Sequence, residues 1–365
     1  MNVTTLPSSN RTLPMRTLMA LVRPFRPLLV KPPSNLDSKL EWSLVGSPRL
    51  DVLKSLRKEF VVTERCVEDI WCYDIDRRRG SKGDDTGGGG SSRIKRIYYF
   101  CGGGFQAPPS SDHWSFIAQL VRQTPSIRLT VISYPLAPRV RASTAISALS
   151  KAYRALMSES ARAAEVVSLV GDSSGANVAL CVTLYTLALG KAIQPDPETE
   201  GSSSAPAQRD LTPTPAPVPA PTPALAPSQL VLISPCVDCS NNNPEMKGVN
   251  RHDPVLTVTY TGQVADTWRG TDISPSDPLV SPAKADLSLL TSYGVRIEGI
   301  VGTWDVLAPD TLEFIEACRA AGLHGDWLVA EGQMHCYPLA WRYKLKNCVD
   351  GKDWIINTIH RSRRN

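Results

Sequence analysis

Histidine is scarce in this chain, with five among 365 residues, so few positions can supply a proton-transferring imidazole. Acidic residues are missing from residues 1–36, which carry Arg11, Arg16, Arg23, Arg26 and Lys31. No run of 18 apolar residues occurs, which argues against a transmembrane span. No basic stripe interleaved with aromatics is present. The positive residues are scattered apart from Arg77-Arg78-Arg79 and a cluster at Arg361 to Arg364, and the net charge is a modest +5. That pattern argues against a nucleic-acid partner. There is no recognisable secretory signal. The nine cysteines are odd in number and spread through strand and helix patterns. They argue against a disulfide scaffold and for a reducing compartment. Cys236 and Cys239 have metal-like spacing but lack a second pair or a nearby histidine, so no metal is expected.

What is present is an apolar fraction of 42%, enough for a sizeable core in one large α/β domain with appendages. Short apolar runs predict strands near 61–64, 69–75, 94–100, 128–133, 166–170, 229–234, 295–301 and 326–330. Helices are predicted near 112–123, 142–158, 174–190, 309–321 and 351–361. In the second of these, Ile146, Leu149, Tyr153 and Leu156 form one core-facing stripe. Strands alternating with helices imply a mostly parallel eight-stranded sheet covered on both faces.

One strand-to-helix junction carries chemistry. Gly171-Asp172-Ser173-Ser174-Gly175 follows the apolar run at Val166 to Val170 and precedes an alanine-rich helix. A serine on so sharp a turn exposes its hydroxyl above the sheet, and flanking glycines let the turn form. Upstream, the strand ending at Phe100 runs into Cys101-Gly102-Gly103-Gly104-Phe105. Backbone N–H groups there can converge on one point, so Gly103, Gly104 and Ser174 are the candidate oxyanion donors. Downstream, Asp305 leaves the carboxyl end of a strand. Its rival Asp310 follows Pro309 at a helix start, where a carboxylate suits the helix terminus. Of the five histidines, His335 alone leaves the carboxyl end of the last core strand, where open α/β sheets build their sites. His324 precedes that strand and His360 lies in a terminal helix. Ser173, Asp305 and His335 are therefore the candidate nucleophile, acid and base.

The ordered set resembles the hormone-sensitive-lipase-like branch of the α/β-hydrolases. That family carries a His-Gly-Gly-Gly loop, a Gly-Asp-Ser-Ala-Gly-Gly-Asn elbow, an acid in a Gly-x-x-Asp-x-Leu segment and a late histidine. Cys101 to Gly104, Gly171 to Asn177, Gly302 to Leu307 and His335 match these in turn, and Tyr134-Pro135-Leu136-Ala137-Pro138 is similar to the segment after the fourth strand. The likeness covers roughly residues 93–190 and 228–360. Cys101 replaces the first histidine, which normally buttresses the loop, and Ser174 and Ala176 replace alanine and glycine in the elbow. The resemblance implies the α/β-hydrolase fold, a cap over the site, and acyl-enzyme hydrolysis of esters without metal or cofactor.

Residues 1–50 are an N-terminal segment and 51–365 the catalytic domain. For residues 1–36 three readings stand: part of the cap, as the family implies; a targeting segment or weak membrane-surface contact; or plain disorder. Met15, Leu18, Met19 and Val22 have helical spacing, but prolines 14, 24 and 27 confine any helix to about two turns. Residues 77–92 read as a mobile hairpin tip, and 191–227, rich in Pro, Ala, Thr and Ser, as a disordered insert. Residues 240–285 break the alternation, with a helix at Val258 to Trp268, and look like the second part of the cap. Phe105, Trp114, Tyr260 and Trp268 are candidate pocket residues, with plain packing an equal alternative for each. The expected activity is hydrolysis of short-to-medium acyl esters, acetyl included, of small lipophilic molecules. A tailoring hydrolase or transacylase of small-molecule biosynthesis, and a non-catalytic receptor on the same fold, are the alternatives. The expected location is cytoplasmic, with mitochondrial or membrane-associated as alternatives through the basic N-terminal segment.

Overall fold

The computed structural model describes residues 1–29, 39–78, 94–124, 126–193 and 225–361. Nearly all of the two inserts expected at 77–92 and 191–227 lies outside these residues. A nine-stranded sheet runs β1–β9–β8–β7–β6–β4–β5–β3–β2. Its strands are β1 (Asn2–Leu6), β2 (Phe60–Val67), β3 (Ile70–Arg77), β4 (Lys95–Phe100), β5 (Ile127–Ser133), β6 (Val166–Asp172), β7 (Gln229–Ile233), β8 (Arg296–Gly302) and β9 (Asp326–Ala330). All eight predicted strands are present. β2 and β3 form an antiparallel hairpin across Glu68 and Asp69, both at positive φ, as a two-residue hairpin turn demands. β3 meets β5 antiparallel, and every other pairing is parallel.

The ninth strand corrects the expected count. β1 pairs parallel with β9, from Asn2 opposite Asp326 to Leu6 opposite Ala330. Its first four residues are exposed, so no apolar periodicity marks it in the sequence. Backbone pairing holds it instead, helped by Asn2 Nδ2 donating to Asp326 Oδ1 at 2.9 Å and by Glu331 N donating to Leu6 O at 2.9 Å. Residues 41–52 also join the core. Ser47 Oγ donates to Ser133 O at 2.6 Å, and Leu50 and Val52 are buried.

Alternation along the central strands feeds two cores. Tyr98 and Phe100 of β4 face one side, where the helices Ala142–Arg162, Ser174–Ile193 and Ala308–Ala320 pack. Ile97, Tyr99 and Cys101 face the other, against the helices Ser111–Gln123 and Lys346–Arg361. The last helix begins five residues earlier than the predicted start. The parallel strands share one carboxyl rim, and the turns after β4, β6, β8 and β9 all emerge there.

Above that rim lie two further segments. The helix Leu13–Val22 continues through a 3₁₀ turn, Arg23–Phe25, into a short helix, Arg26–Leu29. This exceeds the two turns expected. Pro14 and Pro24 each sit in the first two positions of a segment, where the missing N–H has no partner to lose. The second segment holds the helices Met246–Asn250 and Val258–Arg269. Arg26 joins the two by donating to Asn250 O at 2.9 Å and to its Oδ1 at 2.7 Å.

Candidate active site

Ser173 sits between β6 and its helix at φ 52°, a left-handed conformation that a non-glycine residue adopts only when its surroundings impose it. They do so here: Ser173 N donates to Ile233 O at 2.9 Å, and Ser173 O accepts from Cys236 N at 3.2 Å. Gly175 is required by close approach, because a Cβ at that position would overlap Phe100 O of the neighbouring strand. A side chain at 175 would push the helix off β4 and carry the serine with it.

The acid and base loops are zipped together. Thr303 N donates to Ala330 O at 3.1 Å, Trp304 N to Gln333 O at 3.0 Å and Gly332 N to Thr303 Oγ1 at 2.9 Å. This pairing brings His335 Nδ1 to 2.8 Å from Asp305 Oδ2 and His335 Nε2 to 3.0 Å from Ser173 Oγ. A carboxylate partner makes Nδ1 the donor, so Nε2 presents its lone pair to the serine hydroxyl. The N-terminal segment braces both loops: Arg11 Nη1 donates to Gly332 O at 3.0 Å, and its guanidinium lies 4.0 Å over the Trp304 ring.

Burial pulls the His335 imidazolium down, and the Asp305 carboxylate outweighs it, so the ring titrates above its ordinary range. Cys336 Sγ lies 3.4 Å from Nε2, but burial pushes that thiol up to about 11, so it stays neutral at ordinary pH. Asp305 is fully buried and accepts from Leu307 N at 2.9 Å. A second buried carboxylate, Asp253, accepts from Val255 N, Leu256 N and Val306 N at 2.7, 3.0 and 2.8 Å. Burial first, then Asp305, pushes the Asp253 carboxyl up to about 6.

Gly104 has φ 60°, and a Cβ there would stand 2.8 Å from Tyr260 Oη. The N–H of Gly102 is taken by Asp172 Oδ2 at 3.0 Å. No acceptor among the described residues takes the N–H of Gly103, Gly104 or Ser174. All three residues line one cavity with Ser173 and His335. Ser174 also opens its helix, whose positive end favours a developing anion.

That cavity holds about 620 Å³. Its apolar walls include Leu18 and Val22 of the N-terminal helix, Leu256 and Val264 of the second segment, and Phe105 and Tyr260. Its titratable lining is confined to Asp112, His113, Asp172, His335, Cys236, Cys336, Tyr260 and Tyr343, with no lysine or arginine among the described residues. Of the four candidate pocket residues, Phe105 and Tyr260 face the cavity. Trp268 lies one layer behind, stacked on Phe105 at 4.8 Å and fully buried. Trp114 packs in the core beside Phe116 and Ile117, and its neighbour His113 faces the cavity instead. The remaining candidates fall elsewhere. Asp310 makes no contact with His335, His324 O accepts from Ile297 N at the opposite rim, and His360 lies against Thr124 and Gln123. Cys101 is buried with its thiol held neutral by burial, and Cys236 and Cys239 are both free thiols. Asp253 and His113 were not singled out from sequence. His113 had one signal, a Ser-x-x-His spacing at a helix start.

A sheet of this topology with an elbow serine defines an α/β-hydrolase. The model of the family described as alpha/beta hydrolase fold matches residues 97–339, and the chain belongs to that family. An esterase of Acinetobacter venetianus is 25% identical over 250 residues, covering 68% of this chain and 70% of that protein. A triacylglycerol lipase of Mycobacterium tuberculosis is 24% identical over 236 residues, covering 64% of this chain but only 40% of the lipase. Among solved structures, a hormone-sensitive lipase from a metagenome library superposes with a TM-score of 0.66. That match has 20% identity and covers 95% of this chain and 97% of the other.

Proposed function

We propose that this esterase-type hydrolase is a serine carboxylesterase acting on short-to-medium acyl esters of small, uncharged, lipophilic molecules. The observation that carries the reading is the unbroken line of Asp305, His335 and Ser173, at 2.8 and 3.0 Å, on the floor of an apolar cavity. His335 Nε2 takes the Ser173 proton as Oγ attacks the ester carbonyl carbon. The electron pair of the carbonyl moves onto its oxygen, which the N–H groups of Gly103, Gly104 and Ser174 receive. Each such donor is worth roughly 2.7–4 kcal/mol of barrier. Collapse breaks the bond to the alcohol oxygen, and His335 returns the proton to that leaving group. A water molecule then repeats the sequence on the acyl-enzyme and frees the acid. Asp305 keeps the imidazole in the useful tautomer and stabilises its charged form.

The wall chemistry supports the substrate class. An anionic substrate entering this cavity would lose water without meeting a lysine or arginine among the described lining residues, a costly exchange. The N-terminal helix and residues 240–285 act as the cap that excludes water. The test is a chain-length series of p-nitrophenyl esters together with active-site labelling by a fluorophosphonate. Acetate to hexanoate should be cleaved and the label should sit on Ser173. Preference for emulsified long-chain triglyceride, or labelling that survives Ser173→Ala, overturns the reading.

A further inference from the structure

Behind the Gly102–Gly104 turn lies a second imidazole–carboxylate pair, outside the relay that ends on Ser173 Oγ. His113 Nε2 is 3.0 Å from Asp172 Oδ2. The same oxygen accepts from Gly102 N at 3.0 Å, while Oδ1 accepts from Tyr99 Oη at 3.0 Å. Asp172 is almost fully buried and immediately precedes Ser173. His113 is held from its other side. Its Nδ1 accepts from Ser110 N at 3.0 Å and lies 2.8 Å from Ser110 Oγ, in a reciprocal cap at the start of the helix Ser111–Gln123. With that lone pair engaged, the ring proton sits on Nε2 and points at the carboxylate. The first residue of the turn, Cys101, has an apolar buried side chain, and its carbonyl accepts from Tyr134 Oη at 2.8 Å.

We propose that His113 is a positioning residue for the oxyanion-binding turn, acting through Asp172 on Gly102. The inference rests on the hydrolase reading above. Two consequences follow from the geometry. Asp172 can hold Gly102 in one place only if its own carboxylate is fixed, and His113 ties it to a rigid helix end. Asp172 also places a negative charge close to where the substrate oxyanion develops. The His113 donor on that carboxylate offsets part of the charge, so the benefit appears in the transition state and not in ground-state binding.

The experiment compares wild type with His113→Ala and His113→Gln, whose amide N–H can replace Nε2–H. On p-nitrophenyl butyrate, His113→Ala should lower kcat on the order of 10–100-fold, the cost of a slight misplacement of the donors. KM should stay within about twofold, and affinity for a trifluoromethyl ketone should fall in step with kcat/KM. His113→Gln should recover most of the loss. Amide hydrogen exchange over residues 100–106 should quicken in His113→Ala and return in His113→Gln. This readout needs no turnover, so it separates failure of the proposal from failure of the hydrolase reading. Unchanged exchange in His113→Ala, or a rise in KM with kcat intact, overturns the proposal.

Discussion

Two imidazole–carboxylate pairs flank Ser173, and they are nearly alike: His335 with Asp305 at 2.8 Å, and His113 with Asp172 at 3.0 Å. Both rings are largely buried, and in each the carboxylate outweighs burial and raises the imidazole above its ordinary range. What differs is the second nitrogen. His335 Nε2 faces a hydroxyl whose proton it can take. His113 Nδ1 faces the Ser110 cap, 3.0 Å from its backbone N and 2.8 Å from its Oγ, and that hydroxyl is already engaged with the first N–H groups of the helix at Asp112 and His113. On the two proposals above, the same pair of side chains makes a base in one place and a strut in the other. The partner of the free nitrogen decides which.

The largest effects should come from the working pair. Ser173→Ala and His335→Ala should each lower kcat on the order of 10⁶-fold, and the double variant should be no worse than either, since the residues act as a unit. Additive losses in p-nitrophenyl butyrate assays would break the comparison. Asp305→Asn should cost about 10⁴-fold by favouring the wrong tautomer. The pH profile sharpens the point. The base must be neutral, so kcat/KM should rise with pH through the His335 ionisation, above the ordinary value of about 6.5. In Asp305→Asn that limb should move to lower pH, because the group that raises the ring is gone. A limb that stays put would detach Asp305 from the base.

Asp253 sits behind Asp305 and gives a smaller, pH-dependent effect. Its folded carboxyl titrates at about 6 against an ordinary 3.8, so between these values the folded chain holds a proton that the unfolded chain has released. Stability from this group is therefore present at low pH and lost as pH rises to 6. Asp253→Asn should cost about 1–3 kcal/mol at pH 4, where an amide cannot accept from all three N–H donors. The gap in melting temperature to wild type should narrow by pH 7. Asp310→Asn should leave turnover within about twofold and shift melting by at most about 3 °C. If it lost more activity than Asp305→Asn, the acid role would pass to it. Cys101→Ser should change least: its thiol is neutral and does not line the cavity, so kcat should stay within a few-fold.

The sequence showed the parts whose signal is local. The elbow, the glycine turn and the eight apolar strands each announce themselves within ten residues, and strand order then places Asp305 and His335 on one rim. The missing parts are long-range. β1 has almost no buried residue, so only its pairing with a strand some 320 positions away defines it. Asp253 becomes a neighbour of Asp305 only when residues 240–285 fold over the rim. The role of His113 depends on Asp172, 59 positions downstream. Trp114 and Trp268 fit a pocket wall or the core equally from sequence, and long-range packing places both in the core.

The pairing of β1 with β9 also orders events during synthesis. Leu6 is made well before its partner Ala330, which lies 324 positions further along the chain. Domains tend to fold as their chain emerges, N-terminal parts first. Here the first strand must wait, and with it Arg11, which holds the loop that carries His335. A chain cut before β9 has neither His335, the proposed base, nor the loop that Arg11 braces, so on the proposed mechanism it should show no turnover.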